Sequence, residues 1–258
     1  MDLSASAERG IFGLMSTNPS KQQLPSESLP FVIRCVRSEA DLVKAVSIRQ
    51  SAYGRHLPEL AARFSAPEPS DVDGSSRVLV ALSKLDGLPL GSMRFRSNRY
   101  QPLDVEQSVT LPESLQHRVL AEATRLAVSQ AAIGRVVKAM LMKAMFLQCE
   151  ASGVDCMIAA ARRPMDRFYQ WLYFEDVFEG GDFIPMAHAG MIPHRVLNCD
   201  IAVAKRRWVE VDHPWYPLFF ETYHPDIELE PLAVTQANAN ATSDGRAALA
   251  ATGHSTSR

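Results

Sequence analysis

Arg118-Val-Leu-Ala-Glu122-Ala-Thr-Arg125-Leu-Ala-Val128-Ser-Gln-Ala-Ala-Ile-Gly134-Arg135-Val-Val-Lys138 is the stretch on which the fold turns. Arg118 to Val128 reads as a strand. From about Ile133 to Cys149, Ile133, Val136, Val137, Met140, Leu141, Ala144 and Leu147 recur at helical spacing. Gly153 suits the C-terminal cap of that helix. Strand, short turn and helix together aim the N–H groups of the turn and first helical turn outward, where an anion can bind. Glu122 and Arg125 stand inside an otherwise apolar strand. Buried charges are costly unless paired or used, so the two are either a structural ion pair or part of a site.

Working outward, Phe31 to Arg37 predicts a strand. Ser38-Glu-Ala-Asp41 fits a capping signal, and a helix follows to about Tyr53, ended by Gly54. Leu57 to Phe64 predicts a short helix and Ser65 to Ser76 a loop. Val78 to Ser83 is nearly all apolar and reads as a central strand. Asp86-Gly87 signals a hairpin, so Leu90 to Arg96 returns beside it, with Gly91 at a bulge. Asn98 to Pro112 is a long loop, and Glu113 to His117 one helical turn. Past the central unit come a strand at Val154–Ala160, a helix opened by Pro164, and a last strand or strands within Ile192–Val203. Hairpins mixed with strand–helix crossovers predict an α+β domain with a mixed central sheet flanked by helices.

The termini differ in composition. Residues 1–30 are rich in Ser, Pro, Gln and Asn and read as a disordered or loosely docked arm; residues 231–258 read as a disordered tail. Residues 206–230 hold Trp208, Trp215, Tyr216, Phe219, Phe220 and Tyr223, a segment expected to pack over a domain spanning 31–205.

Composition narrows the function. The chain of 258 residues is 47% hydrophobic, enough for a sizeable core. A formal net charge of −2 makes no broad electrostatic case for nucleic acid. No run approaches the roughly 18 apolar residues of a membrane span, and Met1-Asp2-Leu3-Ser4 opens without a secretory signal pattern. Cys35, Cys149, Cys156 and Cys199 are scattered and read as reduced core thiols of a cytosolic protein. The histidines, His188 and His194 included, show no metal-ligand spacing, so no metal is expected.

The element order and several motifs resemble the GNAT acyltransferase fold, and within it the N-acyl amino acid synthases of the FeeM type and the acyl-homoserine lactone synthases. The resemblance covers roughly residues 31–205. Glu122-Ala-Thr-Arg125-Leu-Ala-Val128 is similar to that group's E-x-(S/T)-R-(F/L)-x-V and is the most specific match. Ile48-Arg49-Gln-Ser-Ala-Tyr53 is similar to its first-helix motif, Asp71-Val-Asp73 to its acidic residues before the second strand, and Gly91-Ser-Met-Arg94-Phe95 to its G…R strand. Phe168-Tyr169-Gln-Trp-Leu-Tyr173-Phe174 resembles the broader Y-x-x-x-G-F segment, with Tyr173 where glycine is usual. Only Gly134 remains of the several glycines of the usual coenzyme A loop. The tryptophan expected after the first helix in lactone synthases is replaced by Gly54-Arg55-His56.

The resemblance implies transfer of a fatty acyl group from an acyl-phosphopantetheine thioester, on an acyl carrier protein or coenzyme A, to the amine of an amino acid or related small amine. No bound cofactor is implied. The expected roles follow. Glu122, with a raised pKa, takes the amine proton. Arg125 and Arg94 hold a substrate carboxylate or orient Glu122. Backbone N–H groups near Ala127 and Val128 receive the thioester oxyanion. Gly134 and Arg135 receive the pantetheine phosphate. Tyr169 protonates the leaving thiolate, or is a core tyrosine. Arg49, Asp71 and Asp73 meet the substrate amine, position the loop, or are solvated. Met140, Met142, Met145, Met157 and Met165 fill core or line an acyl tunnel. Arg162-Arg163 and Lys205-Arg206-Arg207 are a solvated face or dock an acidic carrier. A lactone synthase and a non-catalytic acyl-carrier or partner-binding module are the alternatives.

Overall fold

The structure is a computed structural model and describes residues 24–229; the expected tail and residues 1–23 of the expected arm lie outside the described residues. Strand β1 spans Phe31–Cys35, with Phe31, Ile33 and Cys35 buried. Helix α1 spans Glu39–Gly54, and the Ser38 hydroxyl accepts from the Asp41 N–H at 3.2 Å. Helix α2 is Pro58–Ala62. The stretch read as a loop holds one helical turn, α3, Pro69–Val72, because Pro69 suits its first position. Strands β2 (Arg77–Ser83) and β3 (Pro89–Ser97) pair antiparallel, and Gly87 takes the positive φ of 70° that their turn needs. Leu90 is the extra residue of a bulge beside Gly91.

A 3₁₀ turn at Asp104–Gln107 and helix α4, Glu113–Gln116, lead to β4, Leu120–Val128. Helix α5, Ile133–Ala151, follows, then β5, Cys156–Ala161, and α6, Met165–Trp171. Tyr173 then takes φ 65°, the left-handed conformation a glycine favours after a helix. Short strands β6 (Glu175–Asp176) and β7 (Ile184–Met186) precede β8 (Ile192–Asp200). Helix α7, Ile201–Glu210, carries Lys205-Arg206-Arg207, so the domain boundary expected at 205 falls inside a helix. A π turn at Pro217–Glu221 and β9, Ile227–Glu228, complete the described chain.

The sheet runs β6-β8-β5-β4-β3-β2-β1-β9, with β7 on β8. The β4–β5 and β1–β9 pairs are parallel and the rest antiparallel, so the sheet is mixed. Its larger core joins β1 to β4 with α5, α6 and α7, and contains Met140, Met142, Met145 and Met157. On the other face Ala45 of α1 packs on Val78, Val80 and Leu82. Helix α5 comes close to β3 because Gly91 has no side chain; a Cβ there would stand 2.6 Å from Val137.

The aromatic segment covers the larger core as expected. Trp208 and Phe219 are fully buried against Phe146. It also continues the sheet. β9 pairs with β1, and Tyr223 bridges to Ser26, so residues 24–30 of the expected arm are ordered against it.

Candidate active site

Strands β4 and β5 are paired in parallel from Leu120↔Cys156 to Ala123↔Ala159, and then part. The cause lies in β4. Between Thr124 and Ala127 it carries one more residue than β3 opposite, and Arg125 has φ 57°. A bulge bends its strand and increases the local twist. It also undoes the period-2 alternation. Unbulged, Arg125 would point to the face opposite Glu122; instead its guanidinium shares the Glu68 carboxylate with Arg94, whose Nε donates to Thr124.

The wedge between the parted strands is a cavity of about 300 Å³, within the range of small-molecule sites. Its walls are β4 from Ala123 to Val128, the end of β5, Met165 and Tyr169 of α6, the end of α1, and His188 and His194. The lining carries Arg55, Arg125 and Arg162 with three histidines and no carboxylate. Such a surface favours an anionic ligand.

Backbone groups complete the wall. The Ser129 N–H donates to the Leu90 carbonyl at 2.8 Å. Antiparallel alternation then pairs Ala127 with Ser92 across the ladder and turns the N–H and C=O of Val128 to the edge that β5 has left. Arg55 Nη2 donates to that carbonyl at 3.1 Å. Of the two expected oxyanion donors, Val128 is therefore free for a ligand, and the Ala127 N–H is held in the sheet.

Beneath the cavity lies a buried ionic network. Arg125 donates to Glu68 from Nε at 2.8 Å and from Nη2 at 2.7 Å, and its Nη2 also reaches the His188 carbonyl at 2.9 Å. Its guanidinium lies over the Phe64 ring at 4.8 Å. Arg94 Nη1 meets Glu68 at 3.1 Å, and its Nη2 meets Asp104 at 3.0 Å. Arg49 Nη1 meets Asp71 at 2.7 Å and Glu68 at 3.4 Å. Burial alone would raise the pKa of Glu68, but Arg125, Arg94 and Arg49 hold it below the usual carboxylate value. Asp71 is likewise held down, mainly by Arg49 against its burial.

The expected site residues are thus sorted. Arg125, Val128 and Tyr169 line the cavity with Ala127. Arg49, Arg94 and Asp71 are brought together under it, where Arg49 and Arg94 are occupied by protein carboxylates and are not open to a substrate carboxylate. Asp73 stays outside: it is exposed and caps its own turn through the Ser75 N–H at 2.7 Å. Glu122 is only 1% exposed and does not line the cavity. It pairs with neither Arg125 nor Arg94, and accepts one bond from the Val105 N–H at 3.3 Å. Burial, then the charge of Asp104, push its pKa up to about 8, the direction expected.

Tyr169 is 4% exposed, and burial raises its pKa; its hydroxyl has no hydrogen-bond partner among the described residues. Gly134 starts α5 where only glycine fits, since a Cβ would collide with the Ser129 carbonyl. Arg135 is exposed beside it. Of the methionines read as core or tunnel, Met165 is the one in the cavity wall. The basic run on α7 is partly used in surface pairs, Lys205–Glu150 and Arg207–Glu210.

Sequence reasoning missed Glu68, Asp104, Arg55 and the place of His188 and His194 in the cavity wall. Glu68 had a local signal, Pro-Glu-Pro at a helix start. No group of side chains among the described residues has a metal-binding arrangement, and no helix among them is long and apolar enough to cross a membrane.

No protein-family model matches the sequence, and no curated protein matches it. Solved structures do. FeeM, an N-acyl amino acid synthase from uncultured soil microbes, superposes with a TM-score of 0.53 at 13% identity, over 70% of this chain and 96% of that one. BjaI, a CoA-dependent acyl-homoserine lactone synthase solved with MTA, superposes with a TM-score of 0.54 at 14% identity, over 82% of this chain and 99% of that one. This chain has the GNAT fold. In this GNAT fold the parted parallel strands, the bulge at Arg125 and the start of α5 adjoin one another, and Tyr169 lines the same cavity.

Proposed function

We propose that the chain is an N-acyltransferase that moves a fatty acyl group from a phosphopantetheine thioester to the amine of an amino acid or similar small anionic amine. The observation that carries this reading is the wedge between β4 and β5, with a free Val128 N–H on one wall, Tyr169 on another, and cationic side chains without a carboxylate between them. The amine nitrogen attacks the thioester carbon, and the oxyanion that forms is met by the Val128 N–H. The carbon–sulfur bond then breaks, and Tyr169, protonated at neutral pH, is placed to give its proton to the thiolate. Arg55 and Arg162 supply charge for the acceptor's carboxylate, and Arg125 adds what Glu68 leaves unmatched.

The donor enters along the start of α5. One glycine there and an exposed Arg135 suit a single pantetheine phosphate, which supports an acyl carrier protein as the donor's carrier. The acyl chain meets Met165, Leu57 and Leu60, and each CH₂ buried there contributes about 0.8 kcal/mol. The four cysteines are buried, as reduced core thiols of a cytoplasmic protein would be.

The test is expression in a bacterial host, wild type beside Tyr169→Phe, with lipid extracts read by mass spectrometry. N-acyl amino acids made by the wild type and strongly reduced in the variant support the reading. Acyl lactones instead would assign a lactone synthase. A soluble, folded wild type that yields neither, in cells and with supplied acyl thioesters, would leave the binding-module reading.

A further inference from the structure

The proposed reaction releases protons from the attacking amine, and the carboxylate expected to take them is set back from the cavity. With its pKa pushed up to about 8, Glu122 is mostly protonated at neutral pH and has no lone charge to accept with. Another group has to do this work, and the cavity wall holds His188 and His194 besides His56.

His194 stands on β8 with its Nδ1 2.7 Å from the Ile192 carbonyl. A carbonyl oxygen only accepts, so Nδ1 carries the hydrogen and Nε2 carries the lone pair. Nε2 has no hydrogen-bond partner among the described residues, and the residue lines the wedge. The ring is therefore held in one tautomer, with its basic nitrogen free. His188, whose ring centre is 6.5 Å away, leaves its Nδ1 buried without a partner.

We propose that His194 is the general base of the acyl transfer, taking the amine proton on Nε2. This rests on the acyltransferase reading above. The acceptor enters as an ammonium and gives one proton to Nε2. The freed nitrogen bonds to the thioester carbon and the carbon–sulfur bond breaks; Tyr169 protonates the thiolate and takes up the second nitrogen proton, and the imidazolium returns its proton to water. Thioester and ammonium become amide, thiol and one released proton.

The surroundings keep this base unprotonated at rest. Burial lowers the His194 pKa, opposed by the bond to Ile192, and the charges of Arg162 and Arg125 lower it further. The other titratable groups of the wedge are His188, Tyr53, Arg55, His56 and Tyr169, and none of them is a carboxylate that would favour an imidazolium. Burial drives His188 down to about 4, with the charge of Asp104 opposing and those of Arg125 and His194 adding to the fall, which makes it the weaker acceptor.

The experiment uses the full chain with dodecanoyl-coenzyme A, or dodecanoyl carrier protein, and a mixture of protein amino acids. Thiol release and amide formation are followed against pH for wild type, His194→Asn, His188→Asn and Glu122→Gln. The asparagine amide can still donate to the Ile192 carbonyl but cannot accept a proton at neutral pH. The expected result is an acid limb in wild-type kcat on the acid side of 6.5. In His194→Asn that limb disappears, and kcat falls by about 100-fold or more with KM and the melting midpoint kept. Added imidazole restores part of the rate. Unchanged rate and limb in His194→Asn overturn the assignment, as does a limb lost in His188→Asn or Glu122→Gln instead. A wild type that forms no amide with either donor overturns the acyltransferase reading itself, and the base with it.

Discussion

Arg125 and Glu68 are joined by two hydrogen bonds, at 2.8 and 2.7 Å, across 57 residues of sequence. This pair ties the β4 bulge to the loop that follows α2. Arg125 sits at a positive φ that a long side chain takes only at a cost. The fork to Glu68, the bond to the His188 carbonyl and the Phe64 ring hold it there. Glu68 also serves Arg94 and Arg49, so one carboxylate neutralises part of three buried cations.

Replacing that carboxylate tests whether the network aims the site. Glu68→Gln removes a charge from between three arginines and leaves them to repel one another. Stability should fall by about 3–5 kcal/mol, the usual cost of breaking a buried charge pair. The folded fraction should lose at least about tenfold in kcat/KM, because the bulge that frees the Val128 N–H is no longer held. Thermal melting and turnover at a temperature where the variant remains folded check both. A variant with wild-type turnover would show that Arg125 does not need its partner.

Tyr169 invites the opposite pattern. The residue lines the cavity and its hydroxyl has no protein partner among the described residues, while its ring packs against Phe168 and Phe174. Tyr169→Phe keeps the ring, so the melting midpoint should barely move, within about 0.5 kcal/mol. Turnover should fall by about 10- to 100-fold if the hydroxyl delivers the proton to the thiolate. An acyl donor with a more acidic thiol should lose less, because its thiolate leaves without help.

Much of this fold was legible because its signals are local. Helical spacing marked α5, Asp86-Gly87 marked the β2–β3 hairpin, and Ser38 marked the start of α1. The bulge was not legible. Arg125 gives no glycine signal for its φ of 57°, and plain alternation sets it on the wrong face. Glu68 was missed because its partners lie 19, 26 and 57 residues away and come together only through the fold. His188 and His194 carry no local signal in the sequence; their shared wall depends on how β8 returns past β5. Strand β9 is two residues long, too short for any periodicity. Tyr173 is an instructive middle case: it was noted where glycine is usual, and it does take the backbone conformation of one.

Glu122 makes a prediction about stability against pH. Its pKa is raised on folding, from an ordinary 4.5 to about 8, by burial and then by Asp104. The folded state therefore holds this proton more tightly than the unfolded state. Its contribution is fully present below pH 4.5 and is lost as the pH rises toward 8. Over that window the loss is on the order of 5 kcal/mol. Glu122→Gln keeps the shape without a titrating group, so its stability should fall less between pH 5 and pH 8.5 than that of the wild type. Chemical denaturation across that range checks it; parallel curves would mean that Glu122 is ionised in the folded chain.

Lys143 makes the last prediction, about the chain's closing segment. It is 1% exposed on α5, and its Nζ meets the Leu218 carbonyl at 2.7 Å, the Thr222 carbonyl at 2.6 Å and His224 Nδ1 at 2.8 Å. Burial lowers its pKa to about 8, with Glu27 opposing. One ammonium thus fastens the π turn and the approach to β9 onto the central helix, and the chain beyond it reaches the β1 edge. Lys143→Met fills similar space but leaves two carbonyls unsatisfied, each costing roughly 1–3 kcal/mol. The variant should be destabilised by about 2–6 kcal/mol on that count. Limited proteolysis should cut it first between Pro214 and Glu228, while β4 and α5 stay protected from hydrogen exchange. Equal cutting of variant and wild type would show that Trp208 and Phe219 hold the segment without the lysine.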